Sequence, residues 1–171
     1  MLSLENYIRD IQDFPKVGVV FKDITPLLAN AEATALCLNE LLRLVENQKI
    51  DKVVGIEARG FFFATLLAKE LNAGFVPIRK PGKLPYETLK QPYTLEYGMD
   101  SLEMHEDSIQ KGDKVLMHDD VLATGGTAAA ACKLIEKLGG EIVQCNFLLE
   151  IEFLKGASKL KRYEHRSLLT Y

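Results

Sequence analysis

Apolar residues along this chain recur in two periods, one helical and one suited to buried strands, and their order predicts the architecture. Leu38, Leu41, Leu42 and Val45 fall at helical spacing in a Glu- and Leu-rich stretch, which predicts an amphipathic helix over about residues 32–48. Val53-Val54-Gly55-Ile56 is a short apolar run that stops at Glu57, the mark of a buried strand, and Phe63, Leu66, Leu67 and Leu71 then return to helical spacing. The same order repeats downstream, with strands expected at Gly74 to Ile78 and Lys114 to Met117, a helix at Thr127 to Leu138 and a strand at Glu141 to Leu149. Strands alternating with helices imply an α/β fold with a central, mostly parallel sheet and helices on both faces.

Two stretches escape this alternation. Between Lys80 and Ser108 the chain carries Pro81, Gly82, Pro85, Pro92, Tyr93, Tyr97 and Gly98 with no sustained helical or strand period. An irregular insert of that length is either a functional loop or a solvated excursion. The first 30 residues, punctuated by Phe14-Pro15 and Thr25-Pro26, precede the first regular unit and are expected to pack as a cap. With 171 residues, 47% of them hydrophobic, the chain is sized for one domain spanning 1–171.

The formal net charge is -3 and the pI is near 5.7. Neither suits broad binding to nucleic acid or an anionic membrane, so an anionic ligand must be met by local basic residues. Glu5, Arg9 and Asp10 near the start do not form a secretory pattern, and no apolar run approaches the about 18 residues of a membrane span. A cytoplasmic protein is expected. Cys37, Cys132 and Cys145 are far apart and form no C-x-x-C pair, which suggests neither a disulfide framework nor a zinc site; they read as small buried apolar residues.

The stretch with most chemistry runs from Val115 to Thr127: an apolar strand, His118, the acids Asp119 and Asp120, then Val121, Leu122 and Ala123-Thr124-Gly125-Gly126-Thr127 before a helix. Glycine allows close backbone approach, and the amides of a helix N-terminus with the hydroxyls of Thr124 and Thr127 can surround a phosphate monoester. Adjacent carboxylates a few residues earlier can accept hydrogen bonds from a vicinal diol, a separation that suits a ribose 5-phosphate. A Gly-Gly turn before a helix is also common as plain structure. The acid pair favours function, because an apolar strand rarely ends in two acids without a ligand, metal or partner. The loop lacks the lysine of a P-loop, and no G-x-G-x-x-G pattern occurs.

At these residues the chain resembles the type I phosphoribosyltransferase family, whose signature for 5-phosphoribosyl 1-pyrophosphate (PRPP) is an apolar run, two acids and an Ala-Thr-Gly-Gly-Thr-like loop. The resemblance implies that Asp119 and Asp120 hold the ribose hydroxyls and that Ala123, Thr124, Gly125, Gly126 and Thr127 hold the 5-phosphate. His118 departs from the apolar residue usual at its position and reads as facing the other side of the strand, with a catalytic role as the alternative.

Four further segments, between Phe14 and about Leu160, are similar to the adenine-specific branch of that family. Gly18 to Pro26 matches a hood over the base, with backbone near Val20 and Lys22 reading adenine; Lys22 stands where many relatives carry arginine. Val121 would offer an apolar surface to the base, or serve as ordinary core. Gly55-Ile56-Glu57-Ala58-Arg59-Gly60-Phe61 matches a turn with a non-proline cis peptide, expected between Glu57 and Ala58, that presents Arg59 to pyrophosphate; Ala64 replaces a frequent glycine and should crowd the helix. Arg79, Lys80 and Lys83 follow a buried strand on a loop stiffened by Pro81 and Pro85. They are either a solvated basic face or, as the resemblance favours, cations for the pyrophosphate leaving group.

Tyr93-Thr94-Leu95-Glu96-Tyr97-Gly98 matches a flexible catalytic lid, about 81–107, in which Glu96 assists at the purine. Glu103, His105, Glu106 and Asp107 read as a polar strand edge rather than a metal cluster. The implied reaction turns adenine and PRPP into AMP and pyrophosphate. Mg²⁺ is expected to arrive on PRPP oxygens with no direct protein ligand. A homodimer is implied, with the basic loop near its interface. The competing readings are transfer to xanthine, hypoxanthine or guanine, a PRPP-sensing regulator, for which the length is expected to leave no DNA-binding extension, and an inactive paralogue kept for binding.

Overall fold

The computed structural model describes residues 3–94 and 99–171, and the chain divides into two compact units, Met1–Arg43 and Leu44–Tyr171. The N-terminal unit opens with a short 3-10 turn at Leu4–Tyr7. An antiparallel ribbon of β1 (Arg9–Gln12) and β2 (Val20–Asp23) follows, and then α1 (Thr25–Leu28) and α2 (Ala31–Leu44). Opposite charges hold the ribbon's register: Arg9 Nη2 lies 2.6 Å from Asp23 Oδ2, and Lys22 Nζ 2.7 Å from Asp10 Oδ1. Asn30 caps α2 by accepting the Ala33 amide at 2.9 Å, and Ala33, Cys37 and Leu41 bury one face of it. The helix ends at Leu44 rather than 48, because Asn47 turns the chain with a φ of 66°.

In the C-terminal unit, β3 (Lys52–Ile56), α3 (Gly60–Glu70), β4 (Gly74–Ile78), β5 (Thr88–Thr94), β6 (Met99–His105), β7 (Lys114–Leu122), α4 (Gly126–Lys137), β8 (Glu141–Glu150) and β9 (His165–Thr170) follow in order. Five strands form a parallel sheet in the order β4-β3-β7-β8-β9. The crossover β3-α3-β4 runs toward one edge and β7-α4-β8 toward the other. Right-handed connections therefore put α3 and α4 on opposite faces.

The strand side chains divide accordingly. Val54, Ile56, Val115, Met117, Cys145 and Phe147 form one core with Ala131, Leu134 and Ile135 of α4. On the other face the ring of His118 meets Phe63 of α3 edge-on, with centroids 6.4 Å apart. The pairing of β7 with β8 shifts between Val115 and Leu116, which oppose Ile142 and Gln144 and so leave Val143 as an extra residue.

Residues 80–108 differ from the sequence expectation. β5 and β6 pair antiparallel from Thr88↔His105 to Thr94↔Met99, and Arg79 and Glu103 exchange backbone hydrogen bonds at 3.0 and 2.8 Å, which joins β6 to the chain just past β4. The strand period was hidden because Pro92 interrupts β5 and because the positions packed toward the core are the mixed set Leu89, Gln91 and Tyr93. Glu103 and His105 lie on β6, as expected of a polar strand edge, whereas Glu106 and Asp107 fall in the turn that follows it. Cys37, Cys132 and Cys145 are all buried and free. Among the described residues no helix is long and apolar enough to cross a membrane.

Candidate active site

Neighbouring strands whose crossovers diverge leave a crevice at their carboxyl ends, and β3 and β7 form that switch point here. Glu57, Ala58 and Arg59 leave the end of β3, with a cis peptide between Glu57 and Ala58 as expected. Asp119 and Asp120 lie within β7, which continues to Leu122 instead of ending at Met117. Arg59 Nε approaches Asp120 Oδ2 to 2.7 Å, so the basic turn and the acid pair meet across the strand seam. Gly60, the first residue of α3, permits this approach: a Cβ there would stand 2.7 Å from Asp119 Oδ1. Gly55 in turn accommodates Ala64, whose Cβ would lie 2.7 Å from one on residue 55, so the crowding expected at Ala64 is relieved by a glycine on β3.

The acids sit in a demanding environment. Burial, followed by the neighbouring charge of Asp120, pushes the Asp119 carboxyl well above its usual range. Burial also raises Asp120, while Arg59 opposes it. The backbone amide of Asp120 donates to Asp119 Oδ1 at 3.0 Å. His118 is fully buried and its Nδ1 lies 2.7 Å from Asn146 Oδ1. Burial lowers its pKa to about 4 against that hydrogen bond, so the ring is neutral near pH 7. It faces α3, as the reading that it occupies the other side of the strand requires.

The loop after β7 is held by a contact from far along the chain. Gly125 turns with a φ of 74° as the N-terminal flank of α4, and its face is covered by the backbone of Gly156. A Cβ on Gly125 would overlap the Gly156 carbonyl oxygen, and one on Gly156 would overlap that of Ala123. Ala123, Thr124, Gly125, Gly126 and Thr127 are therefore shaped on one side by a 3-10 turn, Gly156–Lys159. The end of β5 closes another side, since Thr94 O stands 3.4 Å from the place of a Gly126 Cβ.

Arg79, Lys80 and Lys83 and the loop that carries them are held by three acids, Glu57, Asp100 and Glu103. Glu57 Oε1 accepts from Lys83 Nζ at 2.5 Å and Arg79 Nη2 at 3.2 Å, while Oε2 accepts from the Lys80 amide at 3.0 Å. Burial works against ionisation of Glu57, yet these donors outweigh it and hold the pKa down to about 2. Lys80 Nζ donates to Asp100 and, at 2.8 Å, to Tyr93 Oη. Glu103 Oε2 accepts the Gly82 amide at 3.0 Å and fixes the loop's tip. Such long-range partners leave no local pattern, although an acid directly ending a buried strand was a usable sign at Glu57.

Val121 is half-buried on β7, opposite Leu149 of β8. Val20 and Lys22 lie on β2 in the N-terminal unit, Val20 exposed and Lys22 paired with Asp10. Glu96 lies outside the described residues.

A family model described as the phosphoribosyl transferase domain matches residues 23–167. The chain is 66% identical over 170 residues to an adenine phosphoribosyltransferase of Christiangramia forsetii, covering 99% of both chains. Among solved structures it is similar to an adenine phosphoribosyltransferase of Thermoanaerobacter pseudethanolicus, with a TM-score of 0.96, 49% identity and coverage of 99% of this chain and 100% of that one. The Saccharomyces cerevisiae counterpart, solved with adenine and an imino-altritol bisphosphate, matches with a TM-score of 0.92 and 40% identity over 97% of this chain and 96% of that one.

Proposed function

The chain belongs to the phosphoribosyltransferase family, in its adenine phosphoribosyltransferase branch, and on that premise we propose how its residues share the work. The reaction is purine salvage: adenine and PRPP become AMP and pyrophosphate. The reading of these roles is supported by the meeting of Arg59 and Asp120 at 2.7 Å across the switch point, which joins the basic turn to the acid pair.

Asp119 and Asp120 hold the ribose hydroxyls, and Ala123 to Thr127 hold the 5-phosphate on backbone amides and two hydroxyls. Arg59, Arg79, Lys80 and Lys83 bind pyrophosphate and stabilise the charge it gains as its bond to the anomeric carbon breaks and it leaves with the electron pair. Adenine N9 then bonds to that carbon. Most of the acceleration comes from alignment and leaving-group stabilisation. Val20 and Lys22 read adenine through backbone groups, Val121 packs against it, and Glu96 assists at the purine. Residues 1–171 act as one phosphoribosyltransferase domain, with about 1–30 as hood and about 81–107, which carries the β5–β6 ribbon, as lid.

The cofactor is Mg²⁺. Carried on PRPP, this hard cation takes its shell from substrate and water oxygens and needs no direct protein ligand, and Asp120 is already paired with Arg59. When bound with PRPP it offsets the diphosphate charge, and Asp119 and Asp120 act on the ribose oxygens of that complex. A homodimer is supported by Phe62 and Leu66, exposed one turn apart on α3, and by the branch's use of the basic loop near a dimer interface. A cytoplasmic location is supported by three free, buried thiols.

Incubation with PRPP, Mg²⁺ and each of adenine, hypoxanthine, guanine and xanthine tests the reading. AMP from adenine is expected, and product from an oxopurine alone would overturn the base assignment.

A further inference from the structure

The loop from Ala123 to Thr127 contains no cationic side chain. Its helix, α4, has twelve residues, no acidic residue in its first turn and no side-chain cap. The first intrahelical bond is the Ala129 amide to Gly125 O at 3.0 Å, so the amides of Gly126, Thr127 and Ala128 precede it at the positive end of the helix. Into this place the turn Gly156–Lys159 brings an ammonium: Lys159 Nζ stands 3.8 Å from where a Cβ on Gly126 would be. The turn cannot drift away freely, because Gly156 is packed backbone to backbone against Ala123 and Gly125.

A lysine beside the positive end of a helix is electrostatically misplaced unless an anion joins them. Arg162, three positions on, has such an anion in Glu136 at 2.9 Å, whereas Lys159 forms no ion pair or hydrogen bond among the described residues. Lys159 is exposed, so its stem is free to turn the ammonium toward a group seated over Gly126.

We propose that Lys159 is the cation of the 5-phosphate site, binding the phosphate monoester of PRPP and AMP from the side opposite the loop amides. This rests on the reading of Ala123 to Thr127 as the phosphate cradle. It gives a dianion a full counter-charge that backbone dipoles and two threonine hydroxyls do not supply. It also makes the site selective for the phosphorylated sugar over the bare nucleoside, since without the phosphate the ammonium has no partner there.

The test is calorimetric titration of the full-length protein with AMP and with adenosine, in the unmodified chain, Lys159→Met, Lys159→Arg and Thr124→Val. Lys159→Met should weaken AMP binding about tenfold, or about 1.4 kcal/mol, and leave adenosine binding unchanged. Lys159→Arg should restore most of the loss, and added salt should narrow the gap. Unchanged AMP affinity in Lys159→Met, with weaker affinity in Thr124→Val, would overturn the role of Lys159 and leave the cradle standing. Unchanged AMP affinity in both variants would remove the cradle as well. Equal losses for AMP and adenosine in Lys159→Met would show a structural effect and likewise overturn the proposal.

Discussion

Arg59 Nε and Asp120 Oδ2, 2.7 Å apart, join two segments that are distant in sequence and adjacent only because β3 and β7 are neighbours in the sheet. Asp120 is almost fully buried, which raises its pKa, and the charge of Arg59 opposes that rise. Arg59→Gln leaves a buried carboxylate uncompensated, a loss of about 3 kcal/mol or more. Steady-state kinetics should show the KM for PRPP rising about tenfold or more, together with a lower melting temperature.

Gly156 offers a test of the loop that touches no catalytic group. Gly156→Ala places a methyl group against the Ala123 carbonyl, so the loop must move. Destabilisation of about 2 kcal/mol is expected, near 5 °C in a thermal melt, with AMP affinity falling by about tenfold or more.

Glu57 should govern acid stability. Its folded pKa, about 2, lies below the ordinary 4.5, so its stabilisation is fully present above about pH 4.5 and is lost as the pH falls toward 2. Glu57→Gln should flatten that part of a denaturation profile. It also releases Lys83 and Arg79 from a competing carboxylate, and pyrophosphate should inhibit this variant at lower concentration than it inhibits the unmodified protein.

His118 acts over a higher range. Its folded pKa of about 4 is below the ordinary 6.5, so the unfolded chain binds the additional proton, and stability falls as the pH drops from 6.5 toward 4. The shift corresponds to as much as about 3 kcal/mol. His118→Gln can keep a donor for Asn146 and should remove most of this slope in urea denaturation at pH 7, 6, 5 and 4, with turnover at pH 7.5 changed little.

Glu96→Gln should lower turnover more than it weakens PRPP binding. Rapid-quench measurement of AMP formation beside a PRPP titration separates the two effects, and unchanged turnover would remove Glu96 from the catalytic set.

The parts of the fold legible in the sequence are those made by local, one-sided or fully buried runs. Gly74 to Ile78 matched β4, and Thr127 to Leu138 lay within one residue of α4 at each end. β7 was read short because Asp119 and Asp120 look like the end of an apolar run, whereas Arg59 allows Asp120 to stay in the strand. The β5–β6 ribbon was missed because antiparallel partners such as Lys90↔Glu103 draw their stability from each other across the ribbon. In the candidate site, Asp119 to Thr127 stand out in the sequence as a contiguous motif. Asp100 and Gly156 do not, since each owes its place to a contact that only the folded chain creates, and Glu57 was marked only by its position at the end of a buried strand.

The extra residue at Val143 sets a limit on how this protein can diverge. From the shift at Val115/Leu116 onward, β7 keeps one register with β8, with Met117 in the core beneath α4 and the His118 ring against Phe63 of α3. Losing or gaining one residue there would take the two acids out of register with Arg59 and Gly60 and move the His118 ring into the opposite layer. Descendants can therefore replace side chains along β7 more readily than they can change its length. Insertions should accumulate instead in turns such as 106–113, where a change of length leaves that phase intact.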